Sequence, residues 1–250
     1  MEKIMEKEIC NKISVLVCGQ LREFNIGVKS WGCLFDLNCD FYFSTWNKSS
    51  QSKFKWLETF VNNETHVNKD MIIDKIPNAN VSVLDEDEYN HIHKVTEKQI
   101  LHWKNALKMC VDSGVEYEII IVTRPDAFLD LPNLNKYIND LKNGEIKTMF
   151  NAPPNWFYDI FFMSNFNTIK TFIESIKESE ITYVHEDLYK HLISLGMSLS
   201  LLPSEMKSTE VRPTTNDLYE NNIDYDTIML GKNEFITKYG KPFKNIRHIQ

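Results

Sequence analysis

The chain has 250 residues, with 28 Lys plus Arg against 35 Asp plus Glu and a formal net charge of −7. That length suits one α/β domain or two small ones with a sizeable core, and 42% apolar with 25% charged residues excludes a disordered chain. The acidic balance argues against broad, non-specific binding to nucleic acid, which needs a basic surface to displace counterions.

The first segment, MEKIMEKEICNK, is charged throughout and has no apolar signal-peptide region. Ile13 to Cys18 is a continuous apolar run ending at Gly19, which predicts a strand buried on both faces, as in a parallel sheet. Helix-compatible spacing follows from about Arg22 to Leu34, then a second strand from Asp40 to Thr45 and a short helix from Lys53 to Val61. Val81 to Leu84 reads as another strand, and the acidic run Asp85 to Glu88 with His91 and His93 as a solvated loop.

Thr96 and Gln99 form a T-x-x-Q capping box that predicts a helix from about Glu97 to Ser113, with Gly114 as its left-handed stop. Tyr117 to Thr123 is the strongest strand signal, closed by Arg124-Pro125-Asp126. Leu134 to Leu141 predicts a helix and Asp159 to Met163 a short strand. Helices follow over Thr168 to Ile176 and Asp187 to Leu195, the latter stopped by Gly196, and then a strand over Leu199 to Leu202. Strands alternating with helices predict βαβ units, hence an α/β domain with a mostly parallel central sheet flanked by helices and an irregular C-terminal extension.

Ligands of such sheets bind beyond the carboxyl ends of the strands. Four polar clusters fall at predicted strand ends: Gly19-Gln20-Leu21-Arg22, Ser44-Thr45-Trp46, Arg124-Pro125-Asp126 and Ser164-Asn165. Only four of the cations are arginine, Arg22, Arg124, Arg212 and Arg247, and two of them lie in these clusters. At Arg124-Pro125-Asp126 the proline fixes a turn that presents a guanidinium beside a carboxylate. The carboxylate suits a divalent ion and the guanidinium suits phosphate, while a local ion pair explains the same residues. Glu186 and Asp187 open a helix, where acids favour the macrodipole or serve as a general base. Trp103 reads first as a core residue. The aromatic stretch Trp156-Phe157-Tyr158 reads either as a wall for an acceptor or as a packed loop.

Other chemistries lack their signatures. There is no G-x-x-x-x-G-K and no G-x-G-x-x-G. No run approaches the roughly 18 apolar residues of a membrane span. Five cysteines without a C-x-x-C pair point to a reducing, cytoplasmic setting rather than to zinc or a disulfide scaffold.

Taken in order, GQLR, STW, Q-x-x-x-W, YEIIIVTRPD, D-x-F-F-M-S-N and a helix-opening E-D resemble a family of small GT-A-like glycosyltransferases of surface-glycan gene clusters, large DNA viruses and phages. The resemblance covers roughly residues 13 to 195 and is most specific over Gln99 to Phe128. It implies one GT-A-like, Rossmann-like domain over residues 1–250, with a nucleotide-binding part over about 13–130 and an acceptor side over about 131–250. It implies a UDP- or GDP-linked hexose or deoxyhexose as donor, lined by Gly19, Gln20, Arg22, Thr45, Gln99, Trp103, Asn105, Arg124 and Asp126, and a glycan, glycoprotein or glycolipid as acceptor. Asp126 takes the place of the last acid of an Asp-x-Asp motif that holds Mg2+ or Mn2+, and Asp187 or Glu186 that of the catalytic base. Arg124 stands where the first acid of that motif belongs, which puts the metal in question. The alternatives are a nucleotidyltransferase-type enzyme and a non-catalytic nucleotide-sugar-binding protein. The basic stretch Lys238 to His248 suggests peripheral contact with anionic lipid, against the simpler reading of a solvated tail.

Overall fold

The computed structural model describes residues 12–22, 24–49, 65–149 and 155–210. The expected helix at Lys53 to Val61, Pro153-Pro154, Arg212, Arg247 and the basic C-terminal stretch lie outside the described residues.

The strands are β1 (Ile13–Cys18), β2 (Asp40–Trp46), β3 (Lys48–Ser49), β4 (Thr65–His66), β5 (Asn80–Leu84), β6 (Ile119–Thr123), β7 (Ala127–Asp130), β8 (Glu145–Thr148), β9 (Phe161–Asn165), β10 (Ser198–Leu201) and β11 (Lys207–Glu210). The helices are α1 (Phe24–Gly27), α2 (Gly32–Phe35), α3 (Asp70–Ile73), α4 (Val95–Asp112), α5 (Leu134–Asn139), α6 (Phe166–Ser175) and α7 (Val184–Ser194).

Seven strands form one sheet in the order β10-β8-β9-β6-β1-β2-β5. Pairings are parallel except those of β9, which runs antiparallel to both β6 and β8. The result is a mixed α/β architecture with a mostly parallel central sheet between helices. All six β1 residues are buried because side chains on both faces have cover. Val15 and Val17 join Phe41, Phe43 and Ile121 in a core closed by the α1–α2 segment. Leu16 joins Tyr42, Ile120 and Val122 in a second core closed by α4, α6 and α7. Each buried aliphatic side chain contributes about 1.5–3 kcal/mol.

Three local expectations are corrected. The predicted helix after Arg22 is broken into α1, a 3-10 turn at Val28–Ser30 and α2. Gly27 keeps helical dihedrals, φ −51° and ψ −50°, and a Cβ there would sit 2.7 Å from the Pro125 carbonyl oxygen and 2.9 Å from that of Ala127. The segment is thus pressed backbone to backbone against the turn after β6, and Trp31 Nε1 donates to the Ala127 carbonyl at 2.9 Å. Second, α4 begins at Val95, before Thr96, so the capping box does not form. The Thr96 hydroxyl is buried without a partner among the described residues, and Gln99 reaches across the fold instead. Third, Asp159 precedes its strand rather than starting it, and the reversed direction of β9 carries Ser164-Asn165 to the opposite sheet edge. There Asn165 caps α6 by accepting from the Thr168 amide. The predicted stops of α4 and α7 are present, with left-handed φ of +69° at Gly114 and +71° at Gly196.

Candidate active site

The sheet order reverses between β1 and β6: β2 and β5 extend to one side of β1, and β6 begins the other side. Such a switch point opens a crevice beyond the carboxyl ends of the two strands. The loop after β1 carries Arg22, and the turn after β6 carries Arg124-Pro125-Asp126. A Cβ on Gly19, whose φ is +123°, would meet Pro125 Cδ at 3.9 Å, so the loop and the turn are neighbours.

Asp126 is buried, and both guanidinium groups converge on it. Arg22 Nε donates to Oδ2 at 2.6 Å. Arg124 donates from Nε to Oδ1 and from Nη2 to Oδ2, each at 2.9 Å. Burial pushes the Asp126 carboxyl up, but the charges of Arg124 and then Arg22, with their hydrogen bonds, outweigh it and hold the pKa below the ordinary value. Burial works against the Arg124 charge, and Asp126 followed by Asp159 outweighs it, so the Arg124 pKa is raised. Arg22 is held by Nε alone, and its terminal nitrogens have no partner among the described residues.

A second buried carboxylate continues the chain of contacts. Asp159 Oδ2 lies 3.9 Å from Arg124 Nη1 and accepts from Gln99 Nε2 at 2.5 Å. Its Oδ1 lies 3.8 Å from His185 Nδ1. The segment is fixed by hydroxyls of the neighbouring strands: Thr123 Oγ1 donates to the Ile160 carbonyl and Thr148 Oγ1 to that of Tyr158. The sequence Arg22, Asp126, Arg124, Asp159, His185 is thus one network of alternating charge along the crevice, with the imidazole at its end.

Of the expected site residues, Gly19, Arg22, Gln99, Arg124 and Asp126 are brought together here, with Gln20 half-buried in the same loop. Thr45 is wholly buried at the end of β2, its hydroxyl without a partner among the described residues. Trp103 lies in the core against Phe157 and Phe162. Asn105 donates to the Ser44 and Ser82 hydroxyls, tying β2 to β5 beneath α4. Ser44 also bonds the Nδ1 of His102, whose pKa is lowered to about 3 by burial and by Lys98. Trp103 and Asn105 therefore hold α4 on the sheet. Asp187 closes the first turn of α7: its Oδ2 accepts from the backbone amides of Thr182 and Tyr183, both at 2.8 Å. Those two bonds, opposed by partial burial and aided by Lys190, lower its pKa. Glu186 is exposed.

Asp159 and His185 are the residues that the sequence did not single out as site residues, whereas Trp156 belongs to the stretch read either as an acceptor wall or as a packed loop. Asp159 was visible as the acid of D-x-F-F-M-S-N, and His185 as the neighbour of Glu186-Asp187. A separate cleft of about 380 Å³, bordered by Cys33, Asp36, Asp130 and Asn133, contains none of the network.

The donor set does not suit a resident divalent ion. Both Asp126 oxygens face guanidinium nitrogens, and a cation there would have to displace two fixed positive charges. Among the described residues no group of three or more His, Cys, Asp or Glu side chains is placed to hold a metal, the His91 and His93 region included. No helix of the described residues is long and apolar enough to cross a membrane.

No protein-family model matches the chain, and no curated protein matches it in sequence. Solved structures align with most of the chain at TM-scores below 0.5. A nucleoside-diphosphate-sugar pyrophosphorylase from Vibrio cholerae RC9 aligns at 12% identity over 84% of this chain and 99% of that one, with a TM-score of 0.47. The inositol-1-phosphate CTP transferase of T. maritima aligns at 13% identity over 84% and 94%, with a TM-score of 0.45. A Bacillus anthracis protein described as a glucose-1-phosphate thymidylyltransferase aligns at 9% identity over 86% and 96%, also at 0.45. None of these three is named as a glycosyltransferase, and at these scores the likeness is one of fold and assigns no activity.

Proposed function

We propose that this chain is a transferase that uses a nucleoside diphosphate sugar, seated across the β1–β6 switch point with its diphosphate on Arg22 and Arg124. The observation that carries the reading is the pair of guanidinium groups fixed on one buried carboxylate at the carboxyl ends of the two central strands. Planar forks of this kind match phosphate oxygens, and Arg22 keeps its terminal nitrogens for a ligand. The two arginines stabilise the charge that develops on the departing diphosphate, so the metal implied by the family resemblance is replaced by fixed cations. The acceptor is a glycan hydroxyl, approached from the Asp159 and His185 end of the network.

Nucleotidyl transfer, the chemistry named for the solved structures of similar fold, is the second reading. It joins a nucleoside triphosphate to a sugar phosphate and would put the same guanidinium pair against the triphosphate. Calorimetric titration with UDP, GDP, their sugars and the four nucleoside triphosphates, in EDTA and in Mg2+, separates the two. Sugar transfer predicts that a diphosphate sugar binds in EDTA and that Arg22→Gln weakens it about tenfold, or about 1.4 kcal/mol. Tighter binding of a triphosphate, strictly dependent on Mg2+, supports nucleotidyl transfer, and no binding of either class overturns both.

A further inference from the structure

We infer that His185 is the base that takes the proton from the acceptor hydroxyl, with Trp156 as the platform beside which the acceptor ring lies. The inference rests on the sugar-transfer reading above.

The tautomer follows from the hydrogen bonds. His185 Nδ1 lies 2.8 Å from the Phe157 carbonyl oxygen. A carbonyl only accepts, so Nδ1 carries the hydrogen, and the neutral imidazole keeps its lone pair on Nε2. Asp159 Oδ1 lies 3.8 Å from the same Nδ1. Nε2 has no partner among the described residues, and the side chain is 36% exposed. Backbone and ring are both held. The Phe157 amide donates to the His185 carbonyl at 3.0 Å, closing a reciprocal pair. The Trp156 indole stacks on the imidazole at 4.9 Å and 6°, and is itself 37% exposed. A partly exposed indole next to an unprotonated nitrogen suits a pyranose ring presenting a hydroxyl.

The placement matches the reaction. Asp159 faces Arg124 with one oxygen and His185 with the other, so the cations that receive the leaving diphosphate and the base that activates the acceptor flank one buried carboxylate. In the step, the acceptor O–H bond breaks and its proton moves to Nε2. The acceptor oxygen forms a bond to the anomeric carbon, whose bond to the phosphate oxygen breaks. The nucleoside diphosphate leaves with that electron pair, and the imidazolium returns its proton to water. Neither expected acid competes for the role: Asp187 spends Oδ2 on two backbone amides, and Glu186 is exposed and outside the network. A sugar phosphate nucleophile is already ionised and needs no base, so this feature has a use only in transfer to a hydroxyl.

The test uses the full chain with UDP- and GDP-hexoses, water and a panel of aryl glycosides as acceptors. His185→Asn keeps a donor for the Phe157 carbonyl and removes the base. It is expected to lower kcat about 10²- to 10⁴-fold, to leave nucleoside diphosphate affinity within threefold, and to remove the acid limb of the pH profile. The charged group facing His185 is Asp159, with Arg124 on its other oxygen. His185→Ala is expected to regain activity with added imidazole. Wild-type kcat and an unchanged pH profile in His185→Asn overturn the inference while leaving the sugar-transfer reading standing, as does an His185→Ala variant that folds and ignores imidazole. A wild-type chain that binds nucleotide but turns over no nucleotide sugar overturns the reading and the base together.

Discussion

Asp126 and Asp187 are carboxylates of one type, and each is held ionised, but by opposite means. Asp126 is buried and neutralised by Arg22, 104 residues away, together with Arg124. Asp187 is partly exposed and held by backbone amides four and five residues before it. The first arrangement exists only when the β1 loop and the β6 turn meet, and it leaves the terminal nitrogens of Arg22 without a partner among the described residues. The second forms with a single turn of helix and has little left to offer a substrate.

Substitutions sharpen the contrast in descending order of effect. Asp126→Ala strands two cations that are mostly shielded from water. It is expected to lower stability by about 3 kcal/mol, read as a fall in the urea midpoint, and to abolish nucleotide binding. A variant with the wild-type midpoint would mean that the guanidinium pair is not anchored there. Gly27→Ala drives a methyl group into the Pro125 and Ala127 carbonyls and should cost about 1–3 kcal/mol, as overpacking does. Because it shifts the turn bearing Arg124 and Asp126, nucleotide affinity should fall with it. Unchanged affinity would uncouple α1 from the site.

Gln99→Ala removes one donor from Asp159 and should cost about 1–2 kcal/mol. It is expected to lower kcat more than it raises KM, because the carboxylate positions the imidazole rather than the donor. Asp187→Ala should cost about 1 kcal/mol, the worth of a helix cap, with kcat within threefold of wild type. A loss of a hundredfold or more with intact folding would restore Asp187 as the base.

The smallest effect is that of pH. The folded pKa of Asp126 lies below its unfolded value, so its stabilisation is present above about pH 4 and is lost as pH falls through the folded value. Asp126→Asn should therefore show a shallower loss of stability on acidification, measured by urea midpoints at successive pH values. An unchanged acid slope would show that other carboxyls dominate it.

Much of the fold was legible in the residues. β1 runs over Ile13–Cys18 as its apolar run predicts, β2 and β6 fall within a few residues of expectation, and α6 buries Ile169, Phe172 and Ile173 as their spacing requires. β8 went unread because it is four residues long and includes a lysine. Lys147 is buried there only because its ammonium meets the Tyr137 and Asp140 carbonyls at the end of α5.

At the site, Arg22, Arg124 and Asp126 were visible because a glycine turn and a proline turn follow apolar strands. Asp159 and His185 were missed as a pair because 26 positions separate them in sequence and nothing local links them.

The sequence by itself determined the central strands β1, β2, β5 and β6 and the helices α4, α6 and α7, since burial periodicity and turn chemistry act over a few residues. It also determined where two arginines would sit relative to strand ends. Only the tertiary structure decided the direction of β9, which moved Ser164-Asn165 away from the crevice and brought Asp159 into it. Only it decided that Gln99 spends its amide on Asp159 rather than on its own helix end, and that Asp126 is sheathed by guanidinium groups rather than left open. Each outcome is a choice among partners far apart in the chain, set by which elements share a core face.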